Sequence, residues 1–226
     1  MSFNYVDVPD SVHRLIPSRF PPLQLFDWVK SQKELEEVAA LEGLTNDRLL
    51  NELGNIYLVE QSDWVGGPGS TALMAAFAHP GPSRFSDGSY GIYYAAESIE
   101  TAIAETRFHR ERFLKASNEC PCLVQMREYK ANVNKGLVDM SHSSYLQYLD
   151  PNLAHYPISQ SFGSDMRNKK EWGLKYPSVR RKNGFCVAVF RPTALSIPVQ
   201  AGHFDYIWDG KEISEIRRAI KKSRQR

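Results

Sequence analysis

The stretch from Gly91 to His109 constrains the fold most. Gly91-Ile-Tyr-Tyr-Ala is a strand-type run, and Ser98 follows as a good helix N-cap. Ile99, Ala102, Ile103 and Thr106 then recur at three- and four-residue steps. A strand therefore runs straight into a capped, amphipathic helix. Residues 64–91 before it are rich in glycine, proline and serine, which predicts loop with one short Ala-rich helix from Thr71 to Ala78. Further strands are predicted at Cys122 to Lys130, Gly136 to Met140, Gly184 to Phe190 and His203 to Trp208. Helical pieces are predicted at Ser144–Leu149 and Gln160–Trp172. An extended segment starts at Val12, and Pro17, Pro21 and Pro22 forbid a helix there. Strands and helices are interspersed without strict alternation. The expected class is α+β, with a mixed or antiparallel central sheet and flanking helices.

Two segments stand apart. Leu25, Trp28, Val29, Leu35, Val38 and Leu41 predict an amphipathic helix, and Thr45 can cap a shorter one, so residues 23–53 read as a helical insertion. The tail, residues 211–226, reads as a basic amphipathic helix with seven Lys/Arg and two Glu. It is either a solvated chain end or a docking surface for an acidic partner or nucleic acid. No long linker separates these pieces, so residues 1–226 are expected to form a single domain.

Several function classes are excluded. At 226 residues the chain can bury about 70% of its unfolded surface, enough for a real core. A net charge of +2 does not demand nucleic acid as a partner. No apolar run is long enough to span a membrane. Met-Ser-Phe-Asn-Tyr lacks the basic and apolar regions of a signal peptide, and Cys120, Cys122 and Cys186 form no disulfide framework. The expected location is the cytoplasm. Gly66-Gly-Pro-Gly-Ser-Thr lacks the lysine of a P-loop, and there is neither a His-Glu-x-x-His nor a Gly-x-Ser-x-Gly motif. No metal is expected.

Five polar positions remain in apolar or turn context. Arg14 lies between Val12 and Ile16, on the same strand face as both, with His13 and Leu15 on the other. Such a charge costs energy unless it meets an anion. Arg84 ends the Gly/Pro loop, and Tyr93-Tyr94 follow on the strand. Glu105 lies about two turns into the capped helix among Ala102, Ala104 and Thr106, small residues that leave room for a ligand. Ser178 sits in Tyr176-Pro-Ser-Val-Arg, just before a core strand. Each alone is ordinary. Arginines pair at surfaces, helical glutamates face water and Pro-Ser makes turns.

Together they resemble the RES-domain family, named for an arginine, a glutamate and a serine. Its central motif is similar to Arg84-Phe85, Gly88/Gly91, Tyr94-Ala95, Ala102-x-x-Glu105 and His109. Val12-His-Arg14-Leu resembles an earlier family arginine, and Pro177-Ser178-Val-Arg180 the C-terminal element. The resemblance implies the toxin half of a toxin–antitoxin pair, with a fold related to mono-ADP-ribosyltransferases. NAD is then substrate rather than cofactor, cleaved at its nicotinamide–ribose bond by water or inorganic phosphate. The implied partner is an Xre-type helix-turn-helix antitoxin, and the oligomeric state stays open, a homodimer included.

The residue chemistry fits that reading. Nicotinamide–ribose cleavage builds positive charge on the sugar, which Glu105 can stabilise. Arg84 and Arg14 can bind pyrophosphate oxygens bidentately. Tyr94 can stack on nicotinamide, Tyr93 being the core residue on the opposite face. Ser178 can hydrogen-bond the incoming nucleophile or a ribose hydroxyl. The expectation is thus an NAD phosphorylase or glycohydrolase with Glu105, Arg84 and Ser178 as catalytic residues and Arg14, Arg84, Tyr94 and Ser178 binding NAD. One alternative is a mono-ADP-ribosyltransferase acting on a protein. Another is a non-catalytic module that binds through the basic tail.

Overall fold

Ser98 caps its helix as the sequence predicts: its Oγ accepts from the Thr101 amide at 3.2 Å and meets Thr101 Oγ1 at 2.8 Å. The computed structural model describes residues 3–18 and 55–219. Its elements in chain order are β1 (Tyr5–Val6), β2 (Val12–Pro17), α1 (Ser70–Ala78), β3 (Tyr93–Ala96), α2 (Ile99–Ala116), β4 (Cys122–Ala131) and β5 (Leu137–Asp139). Then follow α3 (Tyr156–Asn168), β6 (Gly173–Pro177), β7 (Phe185–Val189), β8 (Val199–Trp208) and β9 (Ile213–Arg218). All nine strands join one sheet in the order β1-β5-β6-β7-β3-β2-β4-β8-β9. Pairing is antiparallel except between β5 and β6, which run parallel. The class is α+β with a mixed sheet, as expected. The helical insertion expected at residues 23–53 lies outside the described residues.

The sheet has two covered faces, and strand alternation sorts the side chains between them. On one face Leu15, Ala96, Met126, Cys186, Ala188, Phe204 and Tyr206 pack beneath Ala102 and Leu114 of α2 and Phe162 and Met166 of α3. On the other, Val12, Tyr93, Ala95, Val187 and Val189 pack against Leu73, Ala76 and Phe77 of α1. Tyr93 and Tyr94, adjacent on β3, therefore belong to opposite faces.

Two expectations need correction. The basic tail is not helical over residues 213–218, which form β9 instead, paired antiparallel with β8. The three-residue spacing of Ile213 and Ile216 fits a helix stripe, but Asp209-Gly210 decides the outcome. Gly210 has φ +97°, and Asp209 Oδ1 accepts from both the Lys211 and Glu212 amides at 2.8 Å, so the chain reverses and pairs. Residues 220–226 lie outside the described residues. The helix expected at Gln160–Trp172 runs earlier, from Tyr156 to Asn168, and β6 follows where no strand was expected. Lys170 at φ 61° breaks the helical path.

Gly163 of α3 lies directly on the loop that carries Arg84. A Cβ there would sit 2.1 Å from the Phe85 carbonyl oxygen. Alanine is the better helix former by roughly 1 kcal/mol, yet here the close approach wins. Gly163→Ala should lower stability by about 1–3 kcal/mol in urea unfolding, the usual range for overpacking. A stabilised variant would show that α3 does not press on this loop.

Candidate active site

The site is built from three local devices. The first is α2, whose Ser98 cap fixes where the helix begins and so where Glu105 emerges. The second is the β6–β7 hairpin. Ser178 N donates to Gly184 O at 2.8 Å, and Asn183 takes a left-handed conformation at φ 60°. Ser178 Oγ accepts from the Arg180 and Arg181 amides at 3.1 and 3.0 Å. With its acceptor capacity used on the turn, its hydroxyl proton points outward. It reaches Glu105 Oε1 at 2.6 Å, the short distance of a hydroxyl bound to a carboxylate. Cys186, directly across from Tyr176 in the hairpin, places Sγ 3.8 Å from the same oxygen.

The third device is the loop at residues 83–90. Tyr94 OH accepts from Phe85 N at 3.1 Å and donates to Ser83 Oγ at 3.0 Å. Tyr90 OH donates to Phe85 O at 2.5 Å. Arg84 is buried at 7% exposure, its Nη1 donating to Asp150 O at 2.8 Å and to Tyr148 O at 3.4 Å. Its guanidinium lies 4.8 Å from the Tyr156 ring centroid. Arg84 thus ties its loop to the segment before α3.

The structure brings Arg84, Tyr94, Glu105 and Ser178 into one neighbourhood. Burial, then the charge of Glu105, pushes the Cys186 thiol well up, while the Ser178 hydroxyl and Arg84 oppose the shift. Burial pushes Tyr94 up to about 12, with its hydrogen bonds and Arg84 acting the other way. The thiol and the phenol therefore stay neutral. Tyr94 is held by hydrogen bonds at its hydroxyl. His109, one turn past Glu105, is pushed down to about 4 by desolvation and then by Arg180, Arg112, Arg110 and Arg84. That field favours anions at the mouth of the site. Arg180 itself lies 3.4 Å over the Phe108 ring and donates to Pro151 O at 2.8 Å.

Arg14 is not brought in. It shares a face with Val12 and Tyr93, stacks 4.7 Å from the Tyr93 ring centroid, and donates to the Tyr94 carbonyl at 2.9 Å. Only His13↔Ala96 joins β2 to β3, so that carbonyl is free to accept. Sequence reasoning gave no role to Cys186 or Tyr176. Their alternation on β6 and β7 is the signal that places both on the Glu105 face. A separate pocket of about 150 Å³, lined by Asp63, Tyr90, Arg167, Lys170 and Arg191 among others, contains none of Arg84, Glu105 or Ser178.

Ser178→Ala should release the turn at residues 178–183, since two amides lose their acceptor. A loss of about 1–3 kcal/mol per stranded group corresponds to roughly 5- to 150-fold faster hydrogen exchange at the Arg180 and Arg181 amides, read by NMR. Unchanged exchange would show that the serine does not hold the turn.

Comparison with known proteins bears on this geometry. A protein from Sinorhizobium fredii (strain NBRC 101917 / NGR234), described as uncharacterized protein y4oC, is 29% identical over 222 residues, covering 92% of this chain and 87% of its own. The crystal structure of the M. tuberculosis MbcT–MbcA toxin–antitoxin complex aligns with a TM-score of 0.42 and 9% identity, over 89% of this chain and 86% of that one. The RES domain matches residues 55–209, which include Arg84, Glu105 and Ser178 but not Arg14. That match covers well over half of the sequence, and the chain is a member of the RES-domain family.

Proposed function

We propose that the protein is a toxin-like enzyme that cleaves NAD at the nicotinamide–ribose bond, with water or inorganic phosphate as acceptor. The observation that carries the reading is the 2.6 Å contact between Ser178 Oγ and Glu105 Oε1, with Arg84 close by. It unites the three residue types that name the family.

The chemistry follows from charge. As the C1′–N bond breaks, its electron pair leaves with nicotinamide, which becomes neutral, and positive charge develops on the ribose. Glu105 carries the compensating charge, and the Ser178 hydroxyl fixes the rotamer of that carboxylate. An acceptor oxygen then bonds to C1′. With water, the proton passes to Glu105 and on to solvent, giving ADP-ribose. With phosphate, the product is ADP-ribose 1-phosphate. The arginine field around His109 draws in the anionic dinucleotide, and an anionic acceptor in the same way.

Arg84 has a double role in this reading. Its Nη1 holds the carbonyls of Tyr148 and Asp150, and its positive charge faces the site. NAD loss on this scale would harm a cell, so the partner is an antitoxin that neutralises the enzyme, in line with the Xre type that the family resemblance implies. Location in the cytoplasm, where NAD is found, belongs to the same reading.

The test is incubation with labelled NAD and identification of products by mass spectrometry. Wild-type protein should release nicotinamide with ADP-ribose or its 1-phosphate. Label on a polypeptide would instead point to protein ADP-ribosylation, and intact NAD would overturn the reading. Glu105→Gln should slow nicotinamide release about 100- to 1000-fold, the usual cost of one preorganised electrostatic group, with circular dichroism unchanged. A folded variant with wild-type turnover would remove Glu105 from the mechanism.

A further inference from the structure

On the sheet face opposite Glu105, side chains of three strands form a cluster made almost wholly of hydrogen-bond donors. Arg14 of β2 lies directly across from Tyr129 of β4, and Arg127 follows two residues earlier on β4, across from Ile16. Strand alternation therefore places Arg14, Tyr129 and Arg127 side by side. Tyr93 of β3 joins them beneath the Arg14 guanidinium, 4.7 Å from ring centroid to carbon. Arg127 Nη1 donates to Tyr129 OH at 3.4 Å.

Three features mark this cluster as incomplete. Arg127 is only 9% exposed, and its Nε has no hydrogen-bond partner among the described residues. Tyr93 is fully buried, and its hydroxyl also has none among the described residues. Among the described residues, neither arginine has a carboxylate within ion-pair distance. Two carboxylates on β4 and β8 have other partners. Glu128 points to the other face, where it meets His13 Nδ1 at 2.7 Å and Gly202 N at 3.0 Å. Asp205 accepts from Gln125 Nε2 at 3.4 Å.

Two guanidinium groups so placed cost energy unless an acceptor-rich anion joins them, because buried donors without partners lose their hydration for nothing. Burial already pushes Arg14 below the usual arginine range, and pushes Tyr93 up to about 12, so its hydroxyl stays a donor at neutral pH. A tetrahedral oxyanion supplies what is missing. It offers several acceptor oxygens to Nε–H and Nη–H of an arginine fork and to a phenol at once.

We infer that Arg14, Arg127, Tyr93 and Tyr129 form an anion site for a phosphate group, separate from the Glu105 centre and on the opposite face of the sheet. The inference needs no part of the NAD reading. The phosphate is either free or the terminal group of a nucleotide.

Isothermal titration calorimetry on the full chain tests it, in chloride buffer at fixed ionic strength, with inorganic phosphate and adenosine monophosphate as separate probes. A site that the variants below weaken is expected for either probe, and the probe that binds there more tightly identifies the source of the phosphate. Tyr93→Phe removes only the unpartnered hydroxyl, so the ligand-free fold should be as stable as wild type or more so, while phosphate binding weakens several-fold. Arg127→Gln should weaken it about tenfold or more, in line with a charge-assisted hydrogen bond. The inference fails if folded wild-type protein binds neither probe, or if Tyr93→Phe binds as tightly as wild type. It also fails if binding is unchanged in Arg127→Gln, since the anion would then sit at the other centre. Should Arg127→Gln not fold, Tyr93→Phe decides the matter alone.

Discussion

The hydrogen bond from Ser178 to Glu105 joins two halves of the molecule that are folded by unrelated local rules. Glu105 is positioned by a helix whose start is fixed by the Ser98 cap. Ser178 is positioned by a hairpin whose turn amides use its oxygen as acceptor. Neither device depends on the other, yet they meet at 2.6 Å across 73 residues of sequence. Because the hydroxyl accepts two amides, its proton is left to donate toward the carboxylate. A side chain with one donor and two acceptor positions is fully used. Threonine in its place would keep the hydroxyl but add a methyl group beside buried Cys186 and Tyr176.

The sheet separates two kinds of environment. On the Glu105 face, the Glu105 carboxylate is bordered by neutral thiol and phenol groups and lies near Arg84. On the Arg14 face, two guanidinium groups and two phenols gather, and among the described residues neither arginine has a carboxylate within ion-pair distance. The backbone of β2 and β3 divides the two clusters. Arg14 spans the division only through the Tyr94 carbonyl, where the two strands part after a single paired position.

Much of this was legible in the sequence, for local reasons. The cap at Ser98 and the stripe that follows depend on residues within a few positions of each other, and α2 begins where they require. Alternation on β2 correctly grouped Arg14 with Val12. Its destination could not be read the same way, because Tyr129 and Tyr93 reach it through pairing with distant strands. β9 was misread because Ile213 and Ile216 match a helix, while the decisive turn at Asp209-Gly210 lies outside the stripe. β6 was missed because Leu174 and Tyr176 alternate over only five residues, too few to stand out. The contact between Glu105 and Ser178 has no local signature. It was reached through likeness to a family, and geometry then supplied the distance. Arg84 is the subtler case: sequence marked it as a ligand-binding arginine, and its burial shows that it also holds the carbonyls of Tyr148 and Asp150.

The central claim is that Glu105 and Ser178 act on NAD as one unit. A double-mutant cycle on the nicotinamide release rate measures this directly, using Glu105→Gln, Ser178→Ala and the pair together. If the serine works by holding the carboxylate, the double variant should be slower than Glu105→Gln by no more than a few-fold, as is usual for residues that act together. Rate losses that multiply in full would mean that the two side chains act independently, which would contradict a shared role in the reaction.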